Sequence, residues 1–115
     1  MNDLEKRLFE FAVRTIKLVR TLPQTIEYKV MCGQLVKSAT SSGANYEEAQ
    51  AGSSKADFNN KTRISLREMR ESNYWLRLII AVSETDLKTN EIKQLIQESL
   101  ELKLILGSIV QKTRK

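Results

Sequence analysis

A chain of 115 residues, 41% of them hydrophobic, is the size of one domain and has the apolar mass for one core. Nineteen Lys plus Arg against 14 Asp plus Glu leave a formal charge of +5, a balance that favours acidic partners, nucleic acid first. A lone cysteine, Cys32, excludes an intramolecular disulfide and a cysteine metal cluster, and the lack of any histidine removes the usual general base and the commonest metal ligand.

Leu4, Leu8, Phe11, Thr15, Leu18 and Leu22 predict a first helix, widened by Phe9, Ala12, Ile16 and Val19 on the adjoining strip. Pro23, the only proline, closes it, because the residue before a proline is pushed out of helical geometry. This segment alternates charge with apolar residues (Asp3, Glu5, Lys6, Arg7, Glu10), unlike a secretory signal. No stretch approaches the roughly 20 apolar residues of a membrane span, and with a free cysteine a reducing cytoplasm fits.

A second helix is predicted from Thr25 to Gln50, through Tyr28, Cys32, Leu35, Ala39, Ser42, Tyr46 and Ala49 at heptad spacing. Its middle, Ser38 to Ala44, is small and hydroxylated, and Gly43 alone costs about 1 kcal/mol relative to alanine. Close approach of a neighbouring helix would offset that cost; a loop is the competing reading. Gly52 then serves as terminator, Ser53 or Ser54 as cap, and Asp57 as the acid of a capping box.

The third helix, continuing to Val82, carries two faces. Phe58, Thr62, Ser65, Met69, Ser72, Leu76 and Ile79 form a narrow packing seam, whereas Arg63, Arg67, Arg70, Tyr74 and Arg77 recur about 150° away. Between residues 53 and 83, six basic residues (Lys55, Lys61 and the four arginines) outnumber Asp57, Glu68 and Glu71, so over half of the positive excess lies here. Ser83 to Lys88 is a polar connection. Thr89 or Asn90 is expected to cap a fourth helix with a core face of Ile92, Leu95, Ile96, Ser99, Leu102, Leu106, Ile109 and Val110, and with Lys112, Arg114 and Lys115 at its end.

Short connections between long helices predict one all-α domain over residues 1–115, an up-down-up-down antiparallel four-helix bundle. Phe9, Ile16, Ile80, Leu100 and Leu104 fall beside or beyond the inward stripes, which points to self-association. Asn45, Glu48, Lys61, Glu68 and Glu71 flank the packing sides of helices two and three, and we read them as a polar network that satisfies itself and fixes that helix pair.

Catalytic equipment is sparse. A di-iron bundle needs histidines paired with glutamates, and Ala51 to Ser54 lacks the glycine pattern of a nucleotide loop, so no enzyme activity, metal or cofactor is expected. The arginines suit phosphate, since the guanidinium fork donates two parallel hydrogen bonds and Arg63 to Arg77 span about 21 Å at roughly 1.5 Å per residue. Against this, Arg67 can pair with Glu71 and Arg70 with an acid of a neighbouring helix. Site expectations are therefore Arg63, Arg67, Arg70, Arg77, Lys112, Arg114 and Lys115 for nucleic acid.

The run SGANYEEAQAGSSKADFNNKTRISLREMRESNYWLRLI from Ser42 to Ile79, with the preceding QLVKSAT and the earlier FAVRTIKLVRTLP, resembles the bacterial four-helix-bundle family encoded by intervening sequences of large-subunit ribosomal RNA genes. WLR at Trp75 to Arg77 and ILGS at Ile105 to Ser108 are similar, over shorter runs, to accessory variability proteins of diversity-generating retroelements. The resemblance implies a homopentameric barrel with a basic surface and, for the retroelement relatives, binding to nucleic acid and a reverse transcriptase. Many relatives read Ala-Asn-Ile-Ala-Glu-Gly where this chain has Ala44, Asn45, Tyr46, Glu47, Glu48 and Ala49. The resulting expectation is a cytoplasmic, non-catalytic, oligomeric RNA- or DNA-binding scaffold. Its rivals are a protein-binding adaptor, such as a reverse-transcriptase accessory subunit, and a small enzyme using Glu48 and Glu71.

Overall fold

Leu8, Phe11, Thr15 and Leu18, three or four residues apart, form the buried side of α1 (Asp3–Val19) in the computed structural model, which describes residues 2–52, 54–84 and 88–114. The same spacing builds α2 (Ile26–Gln50), α3 (Lys55–Val82) and α4 (Thr89–Thr113). Among the described residues there is no strand, and no helix is long and apolar enough to cross a membrane. Each helix packs on its sequence neighbours and α1 also meets α4, which closes a square with α2 diagonal to α4.

Antiparallel order is written in the cross-helix hydrogen bonds. Ser38 meets Ser72 while Ser42 meets Ser65, and Asn59 reaches Val110 while Asn73 reaches Ser99, so residue numbers fall on one helix as they rise on the next. Arg7 with Glu98 and Arg14 with Gln94 show the same for α1 and α4. The bundle measures 47 × 23 × 21 Å, the shape of four helices of 17 to 28 residues laid side by side.

The small residues of α2 run as uninterrupted helix, which rejects the loop alternative. Ser42 Oγ donates to the Ser65 carbonyl at 2.9 Å and Ser65 Oγ returns a bond to the Ser42 carbonyl at 2.7 Å. Side chains this short reach an opposing backbone only when two helices are close. On another side, a Cβ added at Gly43 would sit 3.5 Å from Leu8 Cβ, so α1 also approaches the glycine.

Two boundaries differ from expectation, the end of α1 and the start of α4, and the start of α3 agrees with it. Helix α1 stops at Val19, before Pro23, and the chain leaves through tight turns in which the Thr21 amide and hydroxyl both donate to Leu18 O, at 2.9 and 2.7 Å. Leu22 stays buried nonetheless. Ser54 caps α3 by accepting from the Asp57 amide at 3.0 Å, whereas the alternative cap Ser53 lies outside the described residues, as do residues 85–87 of the third connection. Neither Thr89 nor Asn90 caps α4: Lys88 holds the N-cap position at φ 67°, a left-handed conformation, and Thr89 is already helical.

Candidate nucleic-acid interface

Because α3 buries Thr62, Ser65, Met69, Ser72 and Leu76 toward its neighbours, the residues half a turn away must face water, and these are the arginines. Arg63, Arg67, Arg70 and Arg77 are all exposed. Their partners are few and mostly neutral. Arg63 Nε donates to Asn59 Oδ1 and Arg77 Nε to Asn73 Oδ1, each at 2.9 Å. Arg67 lies 3.7 Å from Glu68, rather than pairing with Glu71, and among the described residues Arg70 has no ion-pair partner. Among the described residues, three of the four guanidiniums therefore have no acid within ion-pair distance.

Arg77 also rests over the ring of Tyr74, 5.8 Å from its centroid, and Tyr74 stands edge-on to Trp75 at 5.0 Å. Tyr74 is 49% exposed, so a cation and an open aromatic surface sit together at one end of the row. At the other end, antiparallel packing brings the close of α4 back to the start of α3. A groove is lined there by Lys55, Asn59, Arg63, Thr113 and Arg114, and an adjoining cavity of about 490 Å³ by Gly52, Ser54, Lys55, Phe58, Lys112 and Arg114. The fold thus gathers Arg63, Lys112 and Arg114, which are far apart in sequence, and adds Lys55. Lys115 lies outside the described residues.

The polar network expected between α2 and α3 takes another form. Asn45 Nδ2 donates within its own helix to Ser41, at 2.9 and 3.0 Å, Lys61 faces Asp57 at 3.6 Å one turn away, and Glu68 faces Arg67. Glu48 and Glu71 are exposed, so the five do not bond to one another. Long charged side chains at the edge of a seam reach water or their own helix at less cost than they reach across. The cross-helix polar contacts are instead made by buried hydroxyls and amides: Ser38, Ser42, Ser65 and Ser72 between α2 and α3, and Asn59, Asn73 and Ser99 between α3 and α4. Sequence reasoning missed both asparagines as site residues. Their signal was an asparagine four residues before an arginine, repeated 14 residues later.

A second polar seam joins α1 to α4. Arg7 Nε and Nη2 grip Glu98 at 3.0 and 2.8 Å, and Nη2 also reaches Glu101 at 3.0 Å. These bonds, Glu98 first, raise the already high pKa of the guanidinium despite its partial burial. Cys32 is a buried free thiol whose pKa burial pushes up, which makes it a poor nucleophile. Among the described residues no three acidic or thiol side chains converge as a metal site.

A four-helix bundle with a serine-lined core seam and a basic outer face defines the class. Residues 2–108 match the family described as 23S rRNA-intervening sequence protein, and the chain belongs to that family. The chain is also similar to a crystal structure of a protein of unknown function, from the S23 ribosomal protein family of Bacteroides thetaiotaomicron VPI-5482. Identity is 36% over 93% of this chain and 97% of the other, with a TM-score of 0.82. A comparison with curated proteins found no match.

Proposed function

We propose that this protein is a non-catalytic, cytoplasmic RNA-binding scaffold that works as a homo-oligomeric ring, with the arginine face of α3 and the basic groove at the close of α4 as its contact surface. The carrying observation is that Arg63, Arg70 and Arg77 stand exposed on one helix face with no ion-pair partner among the described residues, and that Arg63 adjoins a groove and cavity lined by Lys55, Lys112 and Arg114. Arginine without a carboxylate partner has its terminal N–H groups available for phosphate. The family's name refers to intervening sequences of 23S rRNA and that of the similar structure to a ribosomal protein family, a setting in which RNA is the polyanion at hand.

Exposed apolar side chains support the ring. Ile26 and Val30 are 81% and 58% exposed one turn apart on α2, and Leu104 is 71% exposed on α4. Five subunits is the number implied by the family resemblance. An adaptor for an acidic protein such as a reverse transcriptase would use the same basic face, and RNA titration separates the two readings.

Replacing Arg63, Arg67, Arg70 and Arg77 together with glutamine is expected to weaken RNA binding and to flatten its salt dependence by up to about 3 logarithmic units per decade if each contacts one phosphate of a single strand, with helicity unchanged. Anisotropy titrations of labelled RNA over a salt series measure this. An unaltered slope removes the ridge from the interface.

A further inference from the structure

The two ends of the arginine row are built to one plan. Asn59 and Asn73, 14 residues apart on α3, are only 7% and 6% exposed, although asparagine is mostly a surface residue. Each turns its amide nitrogen toward α4: Asn59 Nδ2 donates to Val110 O at 3.1 Å and Thr113 Oγ1 at 2.9 Å, and Asn73 Nδ2 donates to Ser99 Oγ at 2.9 Å. Each turns its Oδ1 toward the arginine one helical turn on and accepts from Nε at 2.9 Å.

Donor chemistry fixes both orientations. A carbonyl only accepts, so the Asn59 nitrogen must face Val110, and an arginine Nε only donates, so the Asn73 oxygen must face Arg77. With Nε held, each guanidinium presents its Nη1–Nη2 edge, and its direction is set by a buried amide that is itself tied to α4. An exposed arginine ordinarily loses rotamer freedom when it binds; here part of that loss has occurred on folding. Among the described residues, Arg67 and Arg70 lack such an anchor. Tyr74, half exposed under Arg77, adds a surface on which an unpaired base can stack.

We propose that Asn59 and Asn73 are positioning residues that hold Arg63 and Arg77 as two phosphate forks, about 21 Å apart along α3, for the backbone of a single-stranded RNA. The inference rests on the nucleic-acid reading given above and sharpens it: two of the four arginines act by geometry, two by charge alone.

Arg→Lys substitution keeps charge and removes the fork, so it tests the distinction with little risk to folding. Using labelled oligouridylate at fixed salt, R63K and R77K are each expected to bind about three- to tenfold more weakly, the effect of roughly one net hydrogen bond, whereas R67K and R70K bind as the parent does. In a double-mutant cycle, N73A is expected to weaken binding as R77K does and to add nothing in the R77K background. S72A, which cuts a buried bond toward α2, is expected to lower stability and leave RNA affinity unchanged, so loss of stability alone is not what N73A reports. Equal effects of all four Arg→Lys changes, or an N73A effect that persists undiminished beside R77K, would overturn the positioning role. Full binding by the four-glutamine variant would remove the arginine row from the interface, and a parent protein that does not bind oligouridylate at all would overturn the RNA reading itself.

Discussion

Thr15 lies wholly inside the bundle, and among the described residues its Oγ1 is the one buried side-chain polar atom without a hydrogen-bond partner. A buried hydroxyl without a partner keeps its desolvation cost and gains nothing, about 1–3 kcal/mol. Thr15→Val replaces that oxygen with a methyl group of similar shape on the same β-branched frame. It is expected to raise the unfolding free energy by about 1 kcal/mol, read from urea denaturation with an unchanged m-value. A loss of stability would mean that the hydroxyl bonds back to the preceding turn of α1, as Thr62 does to Phe58 O at 2.7 Å. Thr15 was legible in the sequence as a core position from its place between Phe11 and Leu18. That its hydroxyl goes unpaired was not, because nothing in the spacing says whether a rotamer finds an acceptor.

Single elements show which parts of the fold the chain spells out locally. Periodicity names the buried side of every helix, since an apolar residue every third or fourth position has one energetically acceptable direction to face, and Ser54 with Asp57 marks the start of α3 by chemistry confined to four residues. Contacts decided between elements were not readable: Asn59 and Asn73 look like ordinary helix polars until α4 lies beside them, and Glu48 and Glu71 look like network members until the seam fills with serines. Gly43 shows the intermediate case, where close approach was expected but the neighbour was not named. Leu8 is that neighbour, yet a Cβ at position 43 meets it at 3.5 Å, an ordinary contact. Gly43→Ala is therefore expected to stabilise the protein by up to about 1 kcal/mol through helix propensity, measured by thermal or urea unfolding. Destabilisation would show that α1 and α2 approach more tightly. At the α1–α4 seam, Arg7→Met removes the fork on Glu98 and the bond to Glu101 while keeping much of the aliphatic stem. With the Arg7 side chain 34% exposed, a cost of about 1 kcal/mol is expected at low ionic strength, shrinking as salt is added. A cost insensitive to salt would assign the effect to packing.

At the scale of the molecule, the placement of exposed apolar groups argues for the kind of symmetry. Ile26 and Val30 belong to α2, Leu104 to α4, and these helices are diagonal in the square, so these two sites lie on opposite sides of the bundle, with Phe9, 54% exposed, on α1 between them. A two-fold dimer needs one self-complementary patch, whereas a ring needs two different surfaces that meet head to tail. Two separated sites therefore favour the ring, and they make a prediction that a dimer cannot imitate. The double change I26E/V30E spoils one surface and L104E the other, so each protein alone is expected to run as a monomer of about 13 kDa by light scattering, in line with the 13.2 kDa chain. Mixed in equal amounts, they retain one intact pair of surfaces between them, Leu104 of the first against Ile26 and Val30 of the second. That pair can form once and cannot propagate, because the outer surfaces of the resulting complex are both charged. The mixture is expected to give a heterodimer and nothing larger. A parent protein that is itself monomeric, or a mixture that stays monomeric while each variant remains folded, would remove the head-to-tail ring and leave the exposed residues as isolated surface apolar groups.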